Sequence, residues 1–193
     1  MIKVVAFNGS PRKEGNTAQA LRIVLDPLTK AGIETEMIQI GATGLHGCIA
    51  CYACAKAKDR HCHGVKGDPL NGWIDKMLEA QGILIASPTY FCNVTAETKA
   101  LMDRAGLVAK VNGDLFKGKV GAAVAVARRA GATDVFSAIN YFFLINQMIV
   151  PGSRYWNLAA GLEPGDIQKD EEGLATFATL GENMAWLLRK LYG

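Results

Sequence analysis

The sequence has few of the residues that hydrolytic enzymes depend on. It holds only three histidines, and all of them lie in or beside one cysteine-bearing segment: His46, His61 and His63. No histidine therefore remains elsewhere in the chain to serve a Ser-His-Asp triad. The longest apolar run, residues 141–151, is too short to cross a bilayer and is interrupted by two amide side chains.

Charge and targeting signals are also sparse. The net charge of +3 is small and dispersed, so it gives no reason to expect a nucleic-acid partner. The opening residues MIKVVAF lack the apolar run and cleavage site of a signal peptide. An odd cysteine count, five, without such a signal argues against a disulfide scaffold. We therefore expect a cytoplasmic protein with neither a membrane nor a nucleic-acid partner.

What is present is an alternation of strand-like and helix-like segments. Short apolar runs predict strands at residues 2–7, 33–40, 82–87, 119–127 and 148–156, the last irregular around its Pro-Gly pair. Helical spacing of apolar residues predicts helices near 18–28, 70–80, 96–107, 135–145 and 174–191. We expect Pro27 to kink or shorten the first helix and Gly32 to end it. The pattern predicts one α/β domain over residues 1–193, with a parallel sheet covered by helices on both faces.

In such a sheet, ligands bind beyond the carboxyl ends of the strands. The loops that follow Phe7, Ser87 and Ala127 should therefore meet at one site. Residues 41–68, here called the cysteine segment, form an unusually long insertion after the second strand, and loops of that length usually carry a function.

The loop after the first strand, FNGSPRKEGNT at residues 7–17, has the composition of a phosphate site. Its glycines allow backbone to approach an anion, and the helix that follows offers free N–H groups and partial positive charge. Ser10 and Thr17 add hydroxyl groups, while Arg12 can pair with phosphate oxygens. An ordinary strand-to-helix turn starting at Asn-Thr is the alternative.

Two familiar phosphate motifs do not fit this loop. The P-loop needs a Gly-Lys-Ser/Thr ending, but Asn16 occupies the lysine position and five residues separate Gly9 from Gly15. The third strand also ends in Ser87 and not in an acidic magnesium ligand. The dinucleotide fingerprint G-x-G-x-x-G is absent as well.

The loop after the third strand begins SPTYFCN and continues into a helix that ends near MDR, residues 87–104. A hydroxyl, two aromatic rings and backbone amides at a strand end suit a flat ring system with polar edges. Alternatively, Tyr90 and Phe91 pack beneath the sheet end, and Lys99, Asp103 and Arg104 form ion pairs along the helix.

Together these two loops resemble the flavodoxin-like flavoproteins, in particular the NAD(P)H-dependent FMN reductase group. The resemblance covers most of the chain and implies a three-layer sandwich with a five-stranded parallel sheet of order 2-1-3-4-5. It implies FMN as cofactor and NAD(P)H as co-substrate. The residues that it assigns to FMN fall in three loops: Ser10, Arg12, Asn16 and Thr17; Pro88, Thr89, Tyr90, Phe91 and Asn93; and, less typical of the group, Arg128 and Gly131.

The cysteine segment contains Cys48, Cys51, Cys54 and Cys62 in a C-x2-C-x2-C-x7-C pattern. Closely spaced thiolates suit a [4Fe–4S] cluster, and the pattern is similar to that of iron–sulfur flavoproteins, although the last gap is long. Zinc bound with the nearby histidines, a regulatory dithiol and a metal-free loop stay open as alternatives. The fifth cysteine, Cys92, is interpreted as a small residue lining the site.

The resemblance implies an oxidoreductase that moves electrons from NAD(P)H through bound flavin to a small acceptor or redox partner. No catalytic side chain is required, because the cofactor supplies the chemistry. Two alternatives are an iron–sulfur electron carrier fed by ferredoxin and a thiol-based sensor with a structural flavin. The resemblance also implies a homodimer or homotetramer, with the cysteine segment as a plausible interface element.

Overall fold

The computed structural model describes residues 1–193 and contains one parallel sheet. Its five strands lie in the order β2-β1-β3-β4-β5, as the resemblance implied. The strands are β1 Lys3–Asn8, β2 Glu34–Gln39, β3 Gly82–Pro88, β4 Val120–Ala127 and β5 Leu158–Ala160. The helices are α1 Asn16–Lys30, α2 Ala53–Ala57, α3 Leu70–Glu79, α4 Ala96–Val111, α5 Ala132–Ile145 and α6 Glu171–Tyr192, with a short 3₁₀ helix at Asp166–Lys169.

Two apolar cores, one on each face of the sheet, make the three layers. Helices α1 and α6 cover one face, where Leu21, Phe177 and Met184 are fully buried. The other helices cover the opposite face, where Ile74 and Phe143 are fully buried. Strand β4 is buried along its whole length, as expected for a central strand of a parallel sheet covered on both sides. None of the helices combines the length and the apolar character that crossing a membrane requires.

The fifth strand was predicted in the wrong place. Within the predicted range 148–156 only Ile149 joins the sheet, where it bridges to Val120, and the named strand lies beyond it at Leu158–Ala160. The backbone leaves the sheet at Pro151, which has no N–H to donate. It returns where the Asn157 side chain donates to the Ala123 carbonyl at 3.0 Å.

Helix α1 is longer than predicted, because Pro27 does not shorten it. The helix continues to Lys30, and the Ala31 N–H closes the last turn by donating to the carbonyls of Pro27 and Leu28. Gly32 ends the helix as predicted, with a φ of +77° that favours glycine.

Candidate functional site

The N-terminus of α1 lies at the carboxyl edge of the sheet without a side-chain cap. Its N-cap residue is Gly15, which has no side chain, so the first N–H groups of the helix are free to bind an anion. Ser10 is buried, and its hydroxyl accepts a hydrogen bond from the Arg12 N–H at 3.2 Å, which tightens the loop. Arg12 is exposed, and its Nη1 donates to the Leu162 carbonyl at 2.8 Å. The guanidinium is thereby anchored while other N–H donors stay available.

The glycine of this loop is required by close packing. A Cβ on Gly9 would lie 2.0 Å from Thr98 Oγ1 and 2.8 Å from the Ala86 carbonyl oxygen. The Gly9 N–H donates to that Ala86 carbonyl, and Thr95 Oγ1 donates to the Gly9 carbonyl at 2.9 Å. The loop after β1 is therefore fixed against the start of α4.

Asn16, which the resemblance assigns to FMN, lines the cleft and also contacts a second loop. Its side chain is turned to the loop after β5, where Oδ1 accepts from the N–H groups of Gly165 and Ile167. Its Nδ2 donates to the Glu163 carbonyl at 2.9 Å. The amide side chain therefore ties two loops of the site together, and what Asn16 can offer an anion is the backbone N–H at the start of α1.

The loop after β3 contains an unpartnered polar atom. Thr89 Oγ1 is buried and has no hydrogen-bond partner within the protein. A buried hydroxyl without a partner costs free energy, so this atom is suited to a bound ligand that supplies the missing partner.

A tight hairpin follows Thr89. Tyr90 and Asn93 exchange both backbone hydrogen bonds, at 2.9 and 3.0 Å, across a two-residue turn. The central residues, Phe91 and Cys92, have φ values of 48° and 57°, a left-handed conformation that favours Asn and Gly. The Phe91 ring is fully exposed.

The loop after β4 approaches this hairpin. Gly131 has a φ of +82°, and a Cβ there would lie 2.9 Å from Cys92 Sγ and 3.1 Å from Thr89 Cγ2. Arg128 is exposed and faces the same cleft as Arg12, whereas Arg129 lines a separate pocket.

These loops together form a cleft with an empty volume of about 610 Å³, here called the polar cleft. Eight predicted residues line it: Ser10, Arg12, Asn16, Thr17, Pro88, Thr89, Tyr90 and Arg128. Phe91, Asn93 and Gly131 were predicted with them but do not line it; they form or support the hairpin. No carboxylate is among its lining residues, and both charged ones are arginines, so the cleft favours an anionic ligand.

Sequence reasoning missed the contribution of the loop after β5. Gly161 and Leu162 line the polar cleft, as does Val126 near the end of β4. A Cβ on Gly161 would lie 2.6 Å from Asn16 Nδ2, so a glycine is needed for the two loops to meet. These residues could have been predicted from their position, because ligands bind at the carboxyl ends of the strands and this loop follows the fifth strand. They were missed because the fifth strand was predicted too early in the sequence.

The four cysteines of the cysteine segment line a second, tightly filled pocket, here called the cysteine cavity. Apolar side chains make up most of the remaining lining: Ile49, Tyr52, Val65 and Leu107. Gly64 forms part of its wall, where a Cβ would lie 2.8 Å from Cys51 Sγ. Cys54 is buried, and burial together with the neighbouring Cys62 and Cys51 raises the pKa of its thiol.

The cysteines are too dispersed for a single metal ion. No three Cys, His, Asp or Glu side chains are grouped closely enough to hold one. A tetrahedral zinc site needs sulfurs about 3.8 Å apart, given Zn–S bonds of about 2.3 Å. His61 and His63 instead contact carboxylates, with 2.8 Å from His61 Nε2 to Asp75 Oδ1 and from His63 Nε2 to Asp59 Oδ2. His61 and His63 are thus paired with carboxylates in this structure.

Arg104 closes the floor of the cysteine cavity. Its side chain is only 1% exposed and pairs with both oxygens of Asp68. Its Nε donates to Cys62 Sγ at 3.4 Å, and its Nη1 donates to the His46 carbonyl at 3.1 Å. Burial would lower the pKa of the guanidinium, but the hydrogen bonds to Asp68 and Cys62 raise it above its ordinary value. Of the ion pairs considered along α4, the one between Lys99 and Asp103 is present, with 2.5 Å from Nζ to Oδ1. The one for Arg104 is wrong, because Arg104 pairs with Asp68 of the cysteine segment.

Relatives of known sequence are similar to this chain along nearly its whole length. An iron–sulfur flavoprotein of Methanocaldococcus jannaschii is 37% identical over 97% of this chain and 98% of its own. An iron–sulfur flavoprotein of Methanosarcina thermophila is 31% identical over 97% of this chain and 95% of its own.

Solved structures give the same fold at low sequence identity. RosB, solved with bound 8-demethyl-8-formylriboflavin-5′-phosphate, has a TM-score of 0.77 at 19% identity, over 99% of this chain and 80% of its own. A flavodoxin from the domain Archaea has a TM-score of 0.63 at 17% identity, over 97% of this chain and 99% of its own. The fold is therefore flavodoxin-like. The family model described as NADPH-dependent FMN reductase matches residues 2–163, and this chain accordingly belongs to that family of flavin-dependent oxidoreductases.

Proposed function

We propose that this protein is an iron–sulfur flavoprotein that passes electrons between a redox partner and bound FMN. The observation that carries the proposal is the convergence of Cys48, Cys51, Cys54 and Cys62 on one apolar cavity, in a chain that also has an anion-binding cleft. Relatives that bear the name iron–sulfur flavoprotein support it. When bound, FMN supplies a two-electron centre and the cluster a one-electron centre.

The polar cleft fits FMN on two counts. The uncapped N-terminus of α1, the Ser10 and Thr17 hydroxyls and the cations Arg12 and Arg128 suit a phosphate monoester. The unpartnered Thr89 hydroxyl suits a polar ring edge, which would satisfy its hydrogen-bonding capacity. In this assignment Asn16 positions the neighbouring loop and contributes through its backbone.

The number and type of the cysteine ligands suit a [4Fe–4S] cluster. A [4Fe–4S] cluster binds one thiolate at each of four irons, so its ligands stand farther apart than those of zinc. The four thiols surround a shared space, and Gly64 leaves room beside Cys51 that a larger residue would fill. Cys54 is buried and Cys62 partly buried, whereas Cys48 and Cys51 are exposed, so a bound cluster would lie near the protein surface, within reach of a redox partner.

A second candidate is a reductase that takes electrons directly from NAD(P)H. The description of the family model and the exposed cation Arg128 in the cleft favour it. Both candidates use the polar cleft for FMN, and they differ in the electron donor.

The experiment combines cofactor analysis with rapid kinetics. Protein purified without oxygen is assayed for FMN, iron and acid-labile sulfide, and flavin reduction is followed after mixing with NADH, NADPH or reduced ferredoxin. We expect about four irons and four sulfides per FMN and fast reduction by ferredoxin only. Flavin-replete protein without iron and sulfide contradicts the cluster, and rapid turnover with either nicotinamide favours the second candidate.

We also propose that the protein is a homodimer or homotetramer. Ile49, Tyr52 and Phe91 are large apolar side chains that are more than half exposed on the cysteine segment and the hairpin. Covering such side chains is favourable, which supports an interface here. Sedimentation of the wild type and of a Tyr52→Glu variant tests this: a monomeric wild type contradicts it.

A further inference from the structure

Arg104 places a permanent positive charge inside the protein where the chain could have used an apolar side chain. It is the largest of the fully buried side chains, and it projects from α4 towards the cysteine segment. Burying a charge is costly, and a buried ion pair can often be replaced by apolar residues without loss of stability. A role beyond holding the segment in place would explain why an ion pair is found here.

We propose that Arg104 is a positioning residue that sets the reduction potential of the cluster through Cys62, and that Asp68 limits its effect. The proposal rests on the cluster assigned above. It concerns the protein's own residues, whose contacts are all formed in this structure.

Some N–H donors of Arg104 hold its side chain in place, and another contacts Cys62. The two Nη groups bind Asp68 and the His46 carbonyl, which hold the guanidinium plane in one orientation. The Nε–H is then directed at Cys62 Sγ, at 3.4 Å. A guanidinium is well suited to this, because its donors are fixed in one plane and it stays charged at every physiological pH.

Cys62 itself is held independently of Arg104. Its backbone N–H donates to Asn71 Oδ1 at 2.8 Å, and Asn71 Nδ2 donates back to its carbonyl at 3.1 Å. Because Asn71 fixes the backbone of the ligand, replacing Arg104 changes the charge at the sulfur more than it changes the sulfur's position.

The sign of the effect follows from charge. A cluster that accepts one electron becomes more negative by one charge, so a nearby cation stabilises the reduced form and raises the potential. The low dielectric around a buried guanidinium strengthens this effect. Asp68, whose side chain is only 15% exposed, offsets part of the positive charge. Removing Arg104 should therefore lower the potential, and neutralising Asp68 should raise it.

The test is a potentiometric titration of the anaerobic holoprotein, monitored by electron paramagnetic resonance of the reduced cluster. The variants are Arg104→Gln, Arg104→Lys and Asp68→Asn, with Lys110→Gln as control, since Lys110 is a cation of α4 that pairs with Asp114 and not with the cavity. For Arg104→Gln we expect the equilibrium constant for cluster reduction to fall about tenfold, equivalent to about 59 mV for one electron. Asp68→Asn should shift the potential upward. Arg104→Lys keeps the charge but loses the directed Nε–H, so its potential should lie between those of wild type and Arg104→Gln. Lys110→Gln should not shift the potential.

A purely structural role of the ion pair would not shift the potential in opposite directions in Arg104→Gln and Asp68→Asn. If Arg104→Gln and Asp68→Asn move the potential in the same direction, or neither moves it, the proposal is overturned. If Arg104→Gln retains no cluster, Asp68→Asn decides alone: an upward shift supports the proposal and any other result overturns it. Wild-type protein that lacks iron and sulfide contradicts the proposed function and the inference with it, whereas unshifted potentials in iron-replete variants contradict only the inference.

Discussion

The polar cleft and the cysteine cavity are built in opposite ways. Each wall of the polar cleft is a loop that leaves the end of a sheet strand, and the loops are joined through Gly9, Asn16 and Gly131. The cysteine cavity is formed by an irregular segment whose only helix, α2, has five residues. Five of the nine non-glycine residues with positive φ lie in that segment, so its backbone depends on tertiary contacts to hold it. FMN binding and binding of the proposed cluster should therefore fail separately.

The largest effect is expected from crowding the loop after β1. In Gly9→Ala the added Cβ would lie 2.0 Å from Thr98 Oγ1 and 2.8 Å from a backbone oxygen of β3. Overpacking of this kind costs about 1–3 kcal/mol or more, and we expect loss of FMN as well as of stability. Denaturant unfolding and FMN titration measure both.

Gly47→Ala provides the matched control, because a Cβ there meets nothing within 4 Å. If Gly9→Ala keeps the stability and the FMN affinity of the wild type, the loop after β1 can move away from α4. The polar cleft would then be no more rigidly held than the cysteine cavity.

The next effect should be confined to the cysteine cavity. In Gly64→Ala the added methyl group would lie 2.8 Å from Cys51 Sγ and 3.2 Å from Ile49 Cγ1. We expect the ratio of iron to FMN to fall by more than half while FMN stays fully bound, because the polar cleft does not include this residue. Metal and flavin assays on the same sample give the ratio, and a joint loss of iron and FMN would mean that the two sites are not independent.

Arg12→Ala tests the electrostatics of the polar cleft. A charge-assisted hydrogen bond contributes about 1.5–3 kcal/mol, so FMN should bind roughly tenfold or more weakly without it. Arg22→Ala removes a cation from α1 that pairs with Glu14 and does not line the cleft, and it should leave FMN affinity unchanged. Equal affinities in the two variants would place the phosphate elsewhere.

A smaller effect, of opposite sign in the two states, is expected for Thr89→Val. Removing the unpartnered hydroxyl should stabilise the FMN-free protein by about 1 kcal/mol and weaken FMN binding by a similar amount. In Thr29→Val the lost hydroxyl already donates to the Leu25 carbonyl, so stability should fall slightly and FMN affinity should not change. Thermal unfolding with and without FMN distinguishes the two patterns; destabilised FMN-free Thr89→Val protein would contradict this role for the hydroxyl.

The smallest effect concerns the loop after β5. Lys169 and the N–H groups of Glu163 and Leu162 hold the pKa of Asp166 below its ordinary value. A carboxylate of this kind stabilises the fold above its unfolded pKa of about 3.9, and the contribution is lost as the pH falls through the lower folded pKa. The stability difference between wild type and Asp166→Asn should thus be constant from pH 7 to about 5 and shrink below about 3.9. Urea unfolding across that range measures it, and a difference independent of pH would exclude an ionic origin.

Several features of the fold could be predicted from sequence because they depend on local pattern. The alternation of apolar strands and amphipathic helices gave the layers, and the loop containing Ser10 was recognisable from its glycines and its position before a helix. The last helix was predicted near residues 174–191, and α6 spans Glu171–Tyr192 with Phe177 and Leu180 fully buried.

The features that could not be predicted depend on contacts between distant residues. Arg104 pairs with Asp68 across 36 positions, whereas helical spacing pointed to partners on its own helix. The Asn16 side chain binds a loop about 150 residues away, at Gly165 and Ile167. The fifth strand was misplaced because its sheet contacts at Ile149 and Leu158 are separated by a detour. The Pro-Gly pair marks where the detour starts, but no local pattern marks where the chain returns to the sheet.

The start of the cysteine segment is anchored directly on the loop after β1. A Cβ on Gly41 would lie 2.2 Å from the Ser10 carbonyl oxygen, and Gln39 Nε2 donates to both the Ser10 and Gly41 carbonyls, at 2.6 and 2.9 Å. The segment is therefore not a portable module. Grafting it onto another flavodoxin-like scaffold would require the Gly41 contact and the Gln39 amide to be transplanted as well, and shortening it from its N-terminal side would disturb the recipient's own phosphate loop.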